Sequence, residues 1–167
     1  IKHCSEVLQD LNVDVLGLCE VENYKVLNDL NNAFKGRNYQ IIHYESPDNR
    51  GIDNALLYDK NRFSIISSRA IENKLKNGGP TRDILYVLGE YNDARLHIFV
   101  NHWPSNYGGK EKAIPKRTET AELIIKEIKN ILSVEKSAEI ILIGDFNEDP
   151  HDKNIMLLEK VGLASLM

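Results

Sequence analysis

The residues with the most chemical potential stand at the ends of apolar runs. Residues 140–147 read IILIGDFN, a buried-strand pattern that delivers Asp145 and Asn147 two positions apart. Strand side chains alternate faces, so the two would leave together. A carboxylate beside an amide can hold a water against a substrate. The same pair can instead cap the following loop and helix, and spacing alone does not separate these readings. A second run, 96–105 (LHIFVNHWPS), carries His102 to a strand end and stops at Pro104. Histidine is the usual acid–base group near neutral pH, and the plain alternative is a hydrogen-bonded structural histidine. A glycine-rich basic stretch follows it, with Gly108, Gly109, Lys110, Lys112, Lys116 and Arg117. A third run, 17–23 (GLCEVEN), places Glu20 and Glu22 on one face by the two-residue period. Neighbouring carboxylates repel, and a divalent cation would resolve the repulsion. Otherwise Glu22 caps the next helix and Glu20 meets a lysine. Residues 50–58 (RGIDNALLY) and 80–83 (PTRD) set Arg50 and Arg82 near strand entrances. A guanidinium there can neutralise a phosphate or simply sit on the surface.

Such residues need a rigid frame, and the periodicities predict one. Residues 2–11 read as a helix with Val7, Leu8 and Leu11 on one face. A strand is predicted over 14–22, then a helix over 24–35 with Gly36 as its stop. Strand patterns follow at 39–45, 53–60, 63–71, 83–91 and 96–103, with a hairpin turn at 92–95 (NDAR). Pro115 precedes or opens a helix over 116–132, whose apolar stripe runs through Ala121, Ile124, Ile125, Ile128, Ile131 and Leu132. A buried strand at 138–145 and a short helix at 152–161 complete the pattern. Interleaved helices and strands with a central run of consecutive strands imply an α/β layered fold with a mixed sheet.

Composition narrows the classes. The 167 residues are 42% hydrophobic and 28% charged, which is a globular balance. The net charge of −4 excludes a strongly basic nucleic-acid binder but leaves room for a local basic patch. No apolar run approaches the roughly 20 residues of a membrane span. Cys4 and Cys19 lack CxxC spacing, which argues against a structural zinc site and leaves a disulfide between them open. Cys19 fits as a small core residue, and His97 as a structural histidine. Neither repeats nor linkers interrupt 1–167, so one domain is expected. Nothing marks a stable protein partner. The chain opens at Ile1 inside a helical pattern, which predicts a piece of a longer chain and leaves its compartment open.

GLCEVEN, RGIDNALLY, PTRD, VNHWPS and GDFNEDP occur in that order. The set resembles the endonuclease/exonuclease/phosphatase family, from about residue 13 to about residue 155. The resemblance implies two packed mixed β-sheets flanked by helices. It implies a metal-dependent phosphoesterase, with Glu20 as metal ligand and Mg²⁺ (or Mn²⁺) as cofactor. Asp145 and Asn147 match the family's acid and amide, and would handle the water and phosphate. His102 resembles the histidine that contacts the scissile phosphate. Arg82 resembles a phosphate-directed arginine, with Arg50 as a second phosphate contact, and Asp53 is expected to orient His102. The family's opening strand, with its metal-site asparagine, and its closing strand, with an Asp-His pair, have no counterpart here. Both ends are therefore expected to be missing, and the fragment alone is expected to be inactive. The histidine motif favours a nucleic acid over other phosphodiesters. A phospholipid or inositol-phosphate hydrolase, or a non-catalytic phosphate-binding domain, are the alternatives.

Overall fold

Apolar side chains on both faces of the strands demand cover on both sides, and the chain meets that demand with four layers. The computed structural model describes residues 1–76 and 78–166. In chain order the elements are α1 (Lys2–Leu11), β1 (Val15–Val21), α2 (Tyr24–Ala33), β2 (Gln40–His43), β3 (Asp53–Tyr58), β4 (Phe63–Ile71), β5 (Ile84–Tyr91), β6 (Ala94–His102), α3 (Lys110–Val134), β7 (Glu139–Asp145) and α4 (Lys153–Glu159). One sheet has the order β1-β3-β2 and the other β4-β5-β6-β7. This is the expected α/β sandwich of two packed sheets flanked by helices. The three-stranded sheet is antiparallel throughout, and the four-stranded one is mixed because β6 and β7 run parallel.

β3 shows how alternation builds the layers. Leu56 points into the cluster between the sheets, with Phe63, Leu85, Val87, Ile98 and Val100. Its neighbours Ala55 and Leu57 point the other way, into a cluster with Leu27, Leu30 and Phe34 of the α2 region. Beyond the other sheet, Phe99 and Trp103 meet Ala121, Ile124 and Ile128 of α3 and Leu158 of α4.

Local chemistry sets the element ends. The Asn23 side chain accepts from the Val26 N–H at 3.0 Å and so starts α2. Asn92 and Asp93, with φ of 48° and 65°, form the two-residue hairpin turn between β5 and β6. Two expectations need correction. α3 begins at Lys110, six residues before the predicted start, so Pro115 lies inside the helix and most of the predicted basic loop is its first two turns. In α1, Val7 and Leu11 are exposed, while Leu8 packs against the β1-β3-β2 side and Ser5 is buried. Both cysteines are free thiols.

The β6–β7 register matters most for the site. The strands pair in parallel, with Asn101 opposite Gly144 and His102 opposite Asp145. Gly144 has φ of 124°, and a Cβ there would overlap the Asn101 carbonyl oxygen. Only glycine suits both the dihedral and the close approach. Gly144→Ala is expected to destabilise the fold by at least about 2 kcal/mol, through backbone strain and a backbone clash. A thermal melt matching the wild type would show that the strands do not pair this closely.

Candidate active site

Three strands deliver the central groups. Parallel pairing puts His102 and Asp145 at the same end of β6 and β7. Glu20 comes from β1 in the facing sheet. The residue before it ties the two sheets together, because the Cys19 Sγ–H donates to the Asn101 carbonyl at 3.1 Å. Burial pushes the Cys19 thiol pKa up, which keeps it a donor. Cys19 is therefore more than a core filler.

Glu20 itself sits at a register shift in the β1–β3 ladder, with φ of 60°. A bulge re-aims a side chain and breaks the two-residue alternation. The periodicity argument for Glu20 and Glu22 on one face therefore does not hold, and the strain at Glu20 marks a position held by its surroundings.

The His102 Nε2 lies 3.9 Å from both Glu20 Oε1 and Asp145 Oδ2. The imidazole side chain is 3% exposed, whereas the carboxylates are 64% and 57% exposed. A buried ring thus faces two solvated acids. Burial, and then the nearby Arg82, hold the His102 pKa below its ordinary value, against the opposing pull of Asp145 and Glu20. The His102 Nδ1 is buried without a hydrogen-bond partner. A proton on Nε2 avoids an orphaned Nδ1–H and aims the donor at the open side.

Asn147 reaches the site by a different route from the one predicted. β7 ends at Asp145, and Asn147 lies beyond it with φ of 51°. Its backbone N–H donates to Asp145 Oδ1 at 2.9 Å, which closes an Asx-type turn. Asp145 thus serves the loop with one oxygen and faces His102 with the other. The Asn147 amide Nδ2 donates to the Trp103 carbonyl at 3.0 Å. Arg82 Nη2 donates to the same carbonyl at 2.7 Å. Arg82 also pairs with Asp48 at 3.2 Å, and Arg50 Nε lies 3.3 Å from the other Asp48 oxygen. Arg50 Nη1 is 4.0 Å from Glu20. Burial raises the Asp48 pKa, but the Arg50 backbone N–H and the Arg82 guanidinium outweigh it and hold the carboxyl below the usual range.

Asp53 does not orient His102. Its carboxylate accepts from Ser46 N at 2.8 Å and Ser46 Oγ at 2.6 Å, and it pairs with His43 Nε2 at 2.9 Å. Both oxygens are therefore engaged on the β2 side of β3. The ligand atoms of His43, Glu45 and Asp53 lie within 4.8 Å of one another, and among the described residues this is the tightest such group. Its Asp53 is already saturated, so it suits a hard cation poorly. Glu20 fits one better: it is a hard oxygen donor, well exposed, with the Arg50 guanidinium 4.0 Å away and the His102 ring 3.9 Å away.

Sequence reasoning missed three residues. Asp48 and Trp103 carry no periodic signal, although Asp48 stands in a turn-rich segment beside Arg50. Arg117, counted in the basic stretch that follows His102, is fully buried. Its Nε bonds Glu148 at 2.7 Å, and its Nη1 donates to the Pro104 carbonyl and to Asn106 Oδ1, each at 3.1 Å. The Glu148 side chain is 2% exposed, and the pattern GDFNED carries no sign of that burial.

An endonuclease/exonuclease/phosphatase family profile matches residues 1–163. The chain belongs to that family. Among solved structures, truncated Caenorhabditis elegans TDP2 superposes with a TM-score of 0.69 at 19% identity, over 89% of this chain and 55% of that one. D. rerio TDP2 complexed with a single-strand DNA product gives 0.68 at 19% identity, over 96% of this chain and 56% of the other. ANGEL2, described as a 2′,3′-cyclic phosphatase, gives 0.72 at 15% identity, over 94% and 46%. At these identities the likeness is one of fold, and the chain spans about half the length of these structures. No curated protein sequence matches it.

The His102 environment can be tested directly. Its folded-state pKa lies below the unfolded value of about 6.5, so the unfolded chain takes up the proton first and stability falls as pH drops below about 6.5. NMR titration of the ring is expected to give a midpoint below about 6.5. Glu20→Gln is expected to lower it further, because the carboxylate favours the charged ring. A midpoint raised by that substitution would place Glu20 away from His102.

Proposed function

We propose that this chain carries the phosphate-handling centre of a divalent-metal-dependent phosphodiesterase acting on nucleic acid. One observation supports it above the others: a buried imidazole nitrogen 3.9 Å from two exposed carboxylates that arrive from different sheets. Burial alone would have brought an acid and a histidine into direct contact, with no reason to leave both carboxylates in solvent.

Glu20 would hold Mg²⁺ or Mn²⁺, which when bound would supply Lewis-acid stabilisation of the charge that develops on the phosphate and leaving oxygens. The remaining roles belong to the protein. Asp145, through the oxygen not used by the Asn147 N–H, accepts a proton from the attacking water. Asn147, fixed by its bond to the Trp103 carbonyl, orients that water with its free amide oxygen. His102, neutral near pH 7, donates from Nε2 to a phosphate oxygen. Arg82 and Arg50, both set by Asp48, neutralise the rest of the phosphate charge. The choice of nucleic acid draws support from the single-strand DNA product bound to the D. rerio structure.

Full-length protein is expected to lose hydrolysis of a phosphodiester substrate in EDTA and to regain it with Mg²⁺ or Mn²⁺. Undiminished turnover after chelation and dialysis would remove the metal from the mechanism. Asp145→Asn and His102→Ala are each expected to cut the rate at least about 100-fold, and a circular dichroism melt close to the parent's would accompany the Asp145→Asn loss. Near-parental rates in either variant would overturn its assigned role.

A further inference from the structure

We propose that the hollow between residues 79–82 and the 104–107 loop is a nucleotide subsite, in which Tyr107 stacks a base while Arg50, Arg82 and Lys116 hold the adjoining phosphate. This rests on the nuclease reading above and adds that the strand enters single-stranded, with its base recognised.

The hollow holds about 400 Å³ and is lined by Arg50, Thr81, Arg82, Ser105, Tyr107 and Lys116 among others. That volume lies within the usual range for small-ligand sites and suits one nucleotide. Its charge is positive, because Arg50, Arg82 and Lys116 line it against one acid, Asp48, which is paired with two of them. Arg82 is fixed at its edge. The guanidinium is buried, with Nη1 on Asp48 and Nη2 on the Trp103 carbonyl, so its charge is placed beside the hollow before an anion enters.

Tyr107 supplies the second half of the recognition. It is a large aromatic side chain, 97% exposed, on the rim of that hollow. Its loop is not free at the base. Arg117, fully buried, bonds the Pro104 carbonyl and Asn106 Oδ1 just ahead of it. On the other side, the Gly109 N–H donates to the Asn106 carbonyl at 2.9 Å. The fold therefore holds the base of the loop and presents the ring at its tip. An exposed aromatic beside a cationic groove is the arrangement that stacks unpaired bases. Inositol phosphates would use the cations but offer the ring no planar face. Bases within a duplex are already stacked, which selects a single strand.

The test is equilibrium binding by fluorescence anisotropy to full-length protein, in EDTA so that turnover is not needed. The probes are labelled oligothymidylate and an abasic oligomer of equal length. Wild type is expected to prefer the base-bearing strand by about 5- to 150-fold. Tyr107→Ala is expected to bind both strands alike, and Tyr107→Phe to keep the preference. Absence of oligomer binding, equal binding by wild type, or a preference that survives Tyr107→Ala would overturn the subsite. So would binding to anionic phospholipid vesicles or inositol hexakisphosphate that is lost in Tyr107→Ala. A base preference without hydrolysis under Mg²⁺ would uphold the subsite and sink the nuclease reading alone. Hydrolysis without a base preference would do the reverse.

Discussion

The Trp103 peptide is the fixed point of the site. Its N–H donates to the Asp145 carbonyl at 2.8 Å, which carries the β6–β7 ladder one residue past the strand. Its carbonyl oxygen accepts from both Arg82 and Asn147. The indole lies fully buried against Phe146, with ring centroids 5.1 Å apart, so the peptide has little freedom to shift. Three candidate residues from two segments thus take their positions from the backbone of one residue. Such a scheme depends on β6 and β7 pairing in this register, which in turn depends on the absence of a side chain at Gly144.

Charge is arranged in the same economical manner. Asp48 holds two arginines close together, one buried and one exposed, and the exposed one reaches to within 4.0 Å of Glu20. Buried ion pairs contribute little net stability, because desolvation cancels most of the attraction. Their value here is placement. The guanidinium groups are held in fixed orientation, which is the preorganisation that the proposed phosphate site would require.

Much of this was legible in the sequence, and the reasons for the rest are specific. Strand ends could be read because His102 and Asp145 each close an apolar run that alternation or length identifies. The layered architecture followed from interleaved periods. What could not be read was pairing across long separations. Arg117 looks like surface charge until Glu148, thirty-one positions away, is brought beside it. Asp53 had a visible carboxylate, but its partner depends on β2 lying next to β3 rather than on any local pattern. The twist of Glu20 into a left-handed conformation likewise has no signal, since glutamate seldom adopts it. Pro115 misled for a plainer reason: a proline near a helix start is tolerated inside the early turns when packing further along holds the helix.

The Arg117–Glu148 pair has a consequence for how the molecule can diversify. Removing either member leaves a buried uncompensated charge, at a cost of about 3–5 kcal/mol. The two positions can therefore drift only in concert, and together they clamp the 104–106 segment to the loop that follows β7. Position 107, a single residue further on, is under no such constraint. Lineages carrying this scaffold are free to exchange the side chain at the tip of the loop while the packing behind it stays untouched, so the rim and the frame can evolve at separate rates.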